Sequence, residues 1–174
     1  MKKKIRFSPL ETAYLEQFLE RPKYIAPLDL NIRELGRPVF HANIRRSFFR
    51  GNKKIPRFFL AIYLHLRNAR LVKIQFSILY KRQEKDRRHE RVFGFDYERV
   101  AGGHPACDYC SWFNPVVGIH KHIKVSDCEI RFYPQFDVVP QSLSGIVLEF
   151  FREVNITSRG NIYKGNSPLV DFRV

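Results

Sequence analysis

Three of the six histidines, two of the three cysteines and the only tryptophan fall within the 22 residues from Gly102 to Ile123. His120 and His122 are spaced i, i+2, which on an extended strand puts both imidazoles on one face and Lys121 on the other. Lys124 follows on the imidazole face. Histidine titrates nearest physiological pH, so converging imidazoles serve either proton transfer or metal ligation. His104 and the pair Cys107 and Cys110 lie just upstream, across a segment long enough to fold back.

The first chemistry these residues suit is RNA cleavage without a metal. RNA carries its own nucleophile, the 2′-hydroxyl. Scission needs a base for that proton, an acid for the leaving oxygen and a cation for the crowded phosphate. His104 and His122 are read as the acid and base, with His120 positioning. Lys124 is read as the cation, and Tyr97 and Asp96 on the preceding strand as groups that orient an imidazole or touch the scissile phosphate. The second chemistry is a zinc-stapled nucleic-acid-binding module without catalysis, held by Cys107, Cys110, His120 and His122. Cys-x2-Cys is a good half of such a site, whereas His-x-His departs from the usual three-to-five spacing. Metal would occupy the imidazoles, so the two readings compete. The same residues also suit a plain role, as solvated histidines and small apolar cysteines. His65 reads as a residue of an apolar strand, and His41 and His89 as exposed connectors.

Charge narrows the partner. The net charge is +14, and between Glu34 and Glu84 the chain has no acid but twelve Lys and Arg. A phosphate backbone can lie along such a surface without meeting a carboxylate. Within it Arg45, Arg46, Arg50, Lys53, Lys54 and Arg57 interleave with Phe48 and Phe49. Cations follow phosphates and aromatic faces stack on unpaired bases, so RNA is the partner this segment predicts. A phosphate-cradling glycine loop, a nucleophile elbow and paired catalytic carboxylates are missing from the sequence, which argues against ATP use and other hydrolase types.

Elements must hold these groups. Ser8-Pro9-Leu10-Glu11 is a capping box opening a helix that ends at Pro22. Residues 43–57 read as a loop or ribbon tip centred on Gly51-Asn52. Residues 58–66 and 72–80 form a hairpin, 92–100 a third strand and 118–125 a fourth. Residues 129–136 form a short fifth strand at an edge. Gly94 marks a bulge or a close backbone approach. A helix follows from Ser142, its apolar stripe made by Ile146, Val147, Phe150 and Phe151. The expected organisation is a basic helix and arm over 1–57, a core over 58–154 and a loose tail over 155–174. The fold class is α+β, an antiparallel sheet of four to five strands with N-terminal and C-terminal helices packed on it. The longest apolar run is too short to span a bilayer, and an odd cysteine count suits a reduced cytoplasmic setting, so no membrane partner is expected.

In chain order, the hairpin, the charged turn, the third strand, the segment with His104-Pro105, the strand with His120-Lys121-His122 and the terminal helix resemble the TumE family of small prokaryotic toxins. The resemblance covers about residues 58–154. Members carry a His-Pro step and then a His-His-Lys-His stretch ahead of a C-terminal helix. Gly103 and Ile119 stand where the family often has further histidines, and the Cys107-x2-Cys110 insertion departs from its pattern. The resemblance implies a toxin that acts on RNA or translation, with an antitoxin protein as partner.

Overall fold

Ser8-Pro9-Leu10-Glu11 opens helix α1 (Pro9–Glu20) with both halves of the capping box formed. The Ser8 hydroxyl accepts from the Glu11 amide at 3.2 Å, and the Glu11 carboxylate accepts from the Ser8 amide at 2.9 Å. At the other end Lys23 turns back beneath the helix. Its ammonium donates to the carbonyls of Phe18, Leu19 and Arg21 at 2.8, 3.0 and 2.9 Å, which satisfies acceptors that the last turn leaves open. Burial, and then the Arg50 charge, lower the Lys23 pKa to about 7.

The structure is a computed structural model and describes residues 7–26, 38–68, 70–98, 118–125, 128–132, 140 and 143–158. After α1 come β1 (Lys23–Ile25), β2 (Val39–Arg50), β3 (Lys53–Arg67), β4 (Arg70–Tyr80), β5 (Glu90–Glu98), β6 (Gly118–Val125), β7 (Cys128–Phe132), helix α2 (Leu143–Glu153) and β8 (Ile156–Ser158). They form one eight-stranded sheet in the order β7-β6-β5-β4-β3-β2-β1-β8. Every neighbouring pair is antiparallel except β1 with β8, which is parallel.

This corrects the expected fold. A sheet of four to five antiparallel strands carrying end helices is replaced by a mixed eight-stranded sheet that dominates the described chain. The added strands come from two sources. The ribbon around Gly51-Asn52 is long, with β2 and β3 paired from Val39 opposite Arg67 to Arg50 opposite Lys53. Its first strand has a polar outer face and, among the residues whose burial is described, Phe48 alone fully buried, so alternation there is weak. The second source is Ile156–Ser158, expected as loose tail, which pairs with Lys23–Ile25. A contact across some 130 residues leaves no local signal.

One face of the sheet is apolar. Leu60, Ile62, Leu64 and Leu66 of β3, Ile74, Phe76 and Ile78 of β4, and Phe93, Phe95 and Tyr97 of β5 are buried there. Helix α2 stacks Phe150 on Phe76 at 4.6 Å between ring centroids. Helix α1 stacks Phe18 on Phe58 at 3.7 Å and sets it edge-on to Phe48 at 5.2 Å. Each buried aromatic contributes roughly 1.5–3 kcal/mol of transfer free energy, so this face anchors the fold. Among the described residues, no helix is long and apolar enough to cross a membrane.

The opposite face is polar, and the strand register aligns it into rows. One row runs His41, His65, Lys73, Glu98, and the next runs Asn43, Tyr63, Gln75, Asp96, His120. A third runs Arg45, Ala61, Ser77, Gly94, His122, and a fourth runs Ser47, Phe59, Leu79, Arg91. Period-two alternation on β3, with Leu60, Ile62 and Leu64 inward, forces Phe59, Tyr63 and His65 onto this side.

Candidate functional site

The polar face carries two groups of residues with chemical potential, one buried and one open. The buried group sits on β5 and β6. Register sets Asp96 opposite His120 and Gly94 opposite His122, so a carboxylate and two imidazoles meet on one side of the sheet. Donor atoms of Asp96, His120 and His122 all lie within 4.8 Å of one another. His122 Nε2 is 3.1 Å from Asp96 Oδ2, and the two imidazole centroids are 4.9 Å apart. Asp96 and His120 are 0% exposed and His122 2%, so the cluster is sealed from bulk water.

Two further side chains fix the carboxylate. Gln75 donates from Nε2 to Asp96 Oδ2 at 2.9 Å. Arg91 reaches over β5 and pairs its Nη2 with Asp96 Oδ1 at 2.5 Å. The path runs across Gly94, where an added Cβ would lie 1.9 Å from Arg91 Nη2. The glycine thus marks a close approach, and what approaches is a guanidinium. Burial pushes the Asp96 carboxyl up, but the His122 contact and then the Arg91 charge outweigh it and hold the pKa down at about 2. Its neighbour on the next row, Glu98, pairs with Lys73.

His120 is oriented by its own strand, with Nδ1 2.9 Å from the Gly118 carbonyl oxygen. A carbonyl can only accept, so Nδ1 holds a proton and in the neutral ring Nε2 bears the in-plane lone pair.

The open group surrounds Phe59. The Arg45 guanidinium lies 4.3 Å from the ring centroid, the Lys81 ammonium 5.7 Å and the Lys54 ammonium 5.9 Å. His89, from the β4–β5 loop, meets the ring edge-on at 5.7 Å and is in hydrogen-bond contact with Arg45. Burial, then the charges of Arg45 and Lys81, lower the His89 pKa. Beside the ring, Lys54, Pro56, Arg57, Phe59, Lys81 and Glu84 line a cleft of about 290 Å³. Only one of these residues is acidic.

The site residues expected from sequence are distributed as follows. His120 and His122 are brought together, and Asp96 joins them. Tyr97 lies on the apolar face at 6% exposure, opposite the imidazoles. Lys124 is placed by its backbone, opposite Glu129 of β7. His104, Cys107 and Cys110 lie outside the described residues, so of the zinc set only the two imidazoles are described. Among the expected RNA contacts, Arg45 and Lys54 meet at Phe59, and Arg50 and Lys53 stand exposed at the ribbon end. Arg46 donates to the Arg45 carbonyl at 3.0 Å. Arg57, at φ 66°, sends its guanidinium over Tyr14 and Tyr80 at 5.3 and 5.0 Å and lines the cleft. Phe48 is fully buried against Phe18, so base stacking is closed to it, and Phe49 stacks on Tyr24 at 5.7 Å.

Sequence reasoning missed Phe59, Lys81 and His89. The signal for Phe59 was present: leucines at 60, 64 and 66 define the inward parity of β3 and leave 59 outward. Comparison with family models, with curated proteins and with solved structures returned no match to this chain.

Proposed function

We propose that this protein binds single-stranded RNA on the polar face of its sheet, around Phe59. The observation that carries this reading is the convergence of Arg45, Lys54 and Lys81 on one half-buried aromatic ring, with Glu84 the only acid lining the adjoining cleft. Cations take phosphates, and the Arg45 guanidinium that lies over the ring offers a plane on which a base can stack. The uneven net charge of +14 supports a polyanionic partner. This reading suits the RNA-directed, toxin-like role implied by the TumE resemblance, in the cytoplasm and with an antitoxin protein covering the same cations.

The test is fluorescence anisotropy with a labelled single-stranded RNA over a salt series. Affinity falls with salt at a slope of about −0.7 per phosphate contacted. Arg45→Ala and Lys81→Ala flatten the slope, while Phe59→Ala weakens binding at unchanged slope. Binding that ignores salt, or variants that bind like the parent, would overturn the proposal.

A second reading, metal-independent RNA cleavage, is favoured by one observation: His122 Nε2 stands 3.1 Å from Asp96 Oδ2, the arrangement of an oriented general base. Its obstacle is burial, since rings at 0% and 2% exposure do not meet a phosphodiester without an opening of the site. Cleavage of RNA in the presence of chelator, lost in His122→Ala, would establish it. Intact RNA under those conditions leaves a binding protein.

A further inference from the structure

We propose that Asp96, His120 and His122 form a binding site for one divalent first-row transition-metal ion. Two imidazole nitrogens and one carboxylate oxygen make the donor set that favours zinc, iron or cobalt over magnesium and calcium, which take oxygen ligands. The three side chains come from adjacent strands, brought together by the register that places Asp96 opposite His120.

The distances suit an ion after a small adjustment. Metal–ligand bonds of about 2.0–2.1 Å in a tetrahedral site put donor atoms roughly 3.3 Å apart. Asp96 and His122 already stand at 3.1 Å, and the widest donor separation is within 4.8 Å. A modest rotation of the His120 ring closes that gap.

The surroundings of the triad match what such a site requires. Metal-ligating histidines characteristically donate their second nitrogen to a carbonyl or carboxylate, which fixes tautomer and orientation. His120 Nδ1 does this with the Gly118 carbonyl at 2.9 Å. Gln75 and Arg91 hold the Asp96 carboxylate from behind, and Gly94 clears the path that Arg91 needs. The donor set differs from the cysteine-containing one, because Asp96 replaces both thiolates. The Arg91 charge opposes the ion, so the affinity expected is below that of a site with a second carboxylate.

This site is independent of RNA binding at Phe59. It excludes metal-free general-base catalysis by His122, since an ion takes the lone pair that a base requires.

The experiment uses the full chain, stripped with a chelator and titrated with Co²⁺ as a spectroscopic probe and then with Zn²⁺. One ion binds per chain, and the Co²⁺ complex shows d–d bands without a thiolate charge-transfer band. His120→Gln lowers affinity by about 100-fold or more, on the scale of losing an ordered ligand shell. The double variant Cys107→Ser/Cys110→Ser and the variant His41→Gln bind as the parent does. If His120→Gln fails to fold by circular dichroism, the spectrum and stoichiometry of the parent chain decide. No saturable binding by the parent chain overturns the proposal. So does a thiolate band, loss of binding in the cysteine variant, or loss in His41→Gln. RNA anisotropy, run in parallel, separates failure of this site from failure of the Phe59 reading.

Discussion

Two imidazole pairs occupy the same polar face, and their settings differ. His41 and His65 lie directly opposite on β2 and β3, rings stacked at 4.2 Å, with the Tyr63 hydroxyl 2.9 Å from His41 Nδ1. The charges acting on His65 are those of His41, Arg67 and Lys73, all repelling a proton. His120 and His122 lie on a single strand, buried, with a carboxylate at 3.1 Å and a guanidinium behind it. Two pairs of rings at 4.2 and 4.9 Å thus have unlike chemistry. The carboxylate makes the second pair fit for proton transfer or metal, while the first is a stacked pair with Arg67 and Lys73 as its charged neighbours.

The difference is broken most severely by removing the carboxylate. Asp96→Ala removes the buried carboxylate that Arg91 and His122 contact and is expected to cost about 3–5 kcal/mol in urea denaturation. The matching change at the other pair, Tyr63→Phe, removes one hydrogen bond and is expected to cost about 1 kcal/mol or less. Equal losses would show that Asp96 is no electrostatic anchor.

Gly94→Ala comes next. A methyl group at this position meets the guanidinium and separates Arg91 from Asp96, so a loss of about 2–3 kcal/mol is expected. In an Arg91→Met background the same substitution should cost far less, because the group it displaces is gone. An additive double-mutant cycle would disprove that the glycine serves Arg91.

Some of this was legible in the sequence. Ser8-Pro9-Glu11 is a local signal and gives the helix start that forms. His120-x-His122 fixes a shared face by period two, and Gly94 flags the close approach that Arg91 makes. The width of the sheet was not legible, because β1 and β8 are three residues each and pair over most of the chain length. Phe48 and Phe49 were read together as stacking residues. Alternation separates them, sending Phe48 into the core and leaving Phe49 stacked on Tyr24. That assignment needs the β2–β3 register, which a shift between Ser47 and Phe49 interrupts.

Acid titration sharpens the comparison at lower amplitude. The Asp96 pKa falls from 3.8 to about 2 on folding, so the unfolded chain takes up the proton first. Its stabilisation is complete above 3.8 and disappears as pH falls toward 2, a change of roughly 2 kcal/mol. Denaturation of parent and Asp96→Asn chains across that window checks it, since the variant lacks this acid limb.

The smallest effect is at the other pair. Burial, then His41, Arg67 and Lys73, lower the His65 pKa below its ordinary 6.5. The unfolded chain therefore binds the proton first, and His65 diminishes stability as pH falls below 6.5 toward the folded value. His41→Gln removes the largest of its charged causes while keeping a polar partner for Tyr63. The His65 resonances should then titrate at higher pH by NMR, with burial still holding the pKa under 6.5. The His41→Gln change should leave the acid limb of Asp96 untouched, because β2 and β5 lie three strand spacings apart, roughly 14 Å at ~4.8 Å per spacing and beyond the reach of a screened charge. A His65 titration that fails to move would mean that burial alone sets it and that the stacked pair is two independent rings.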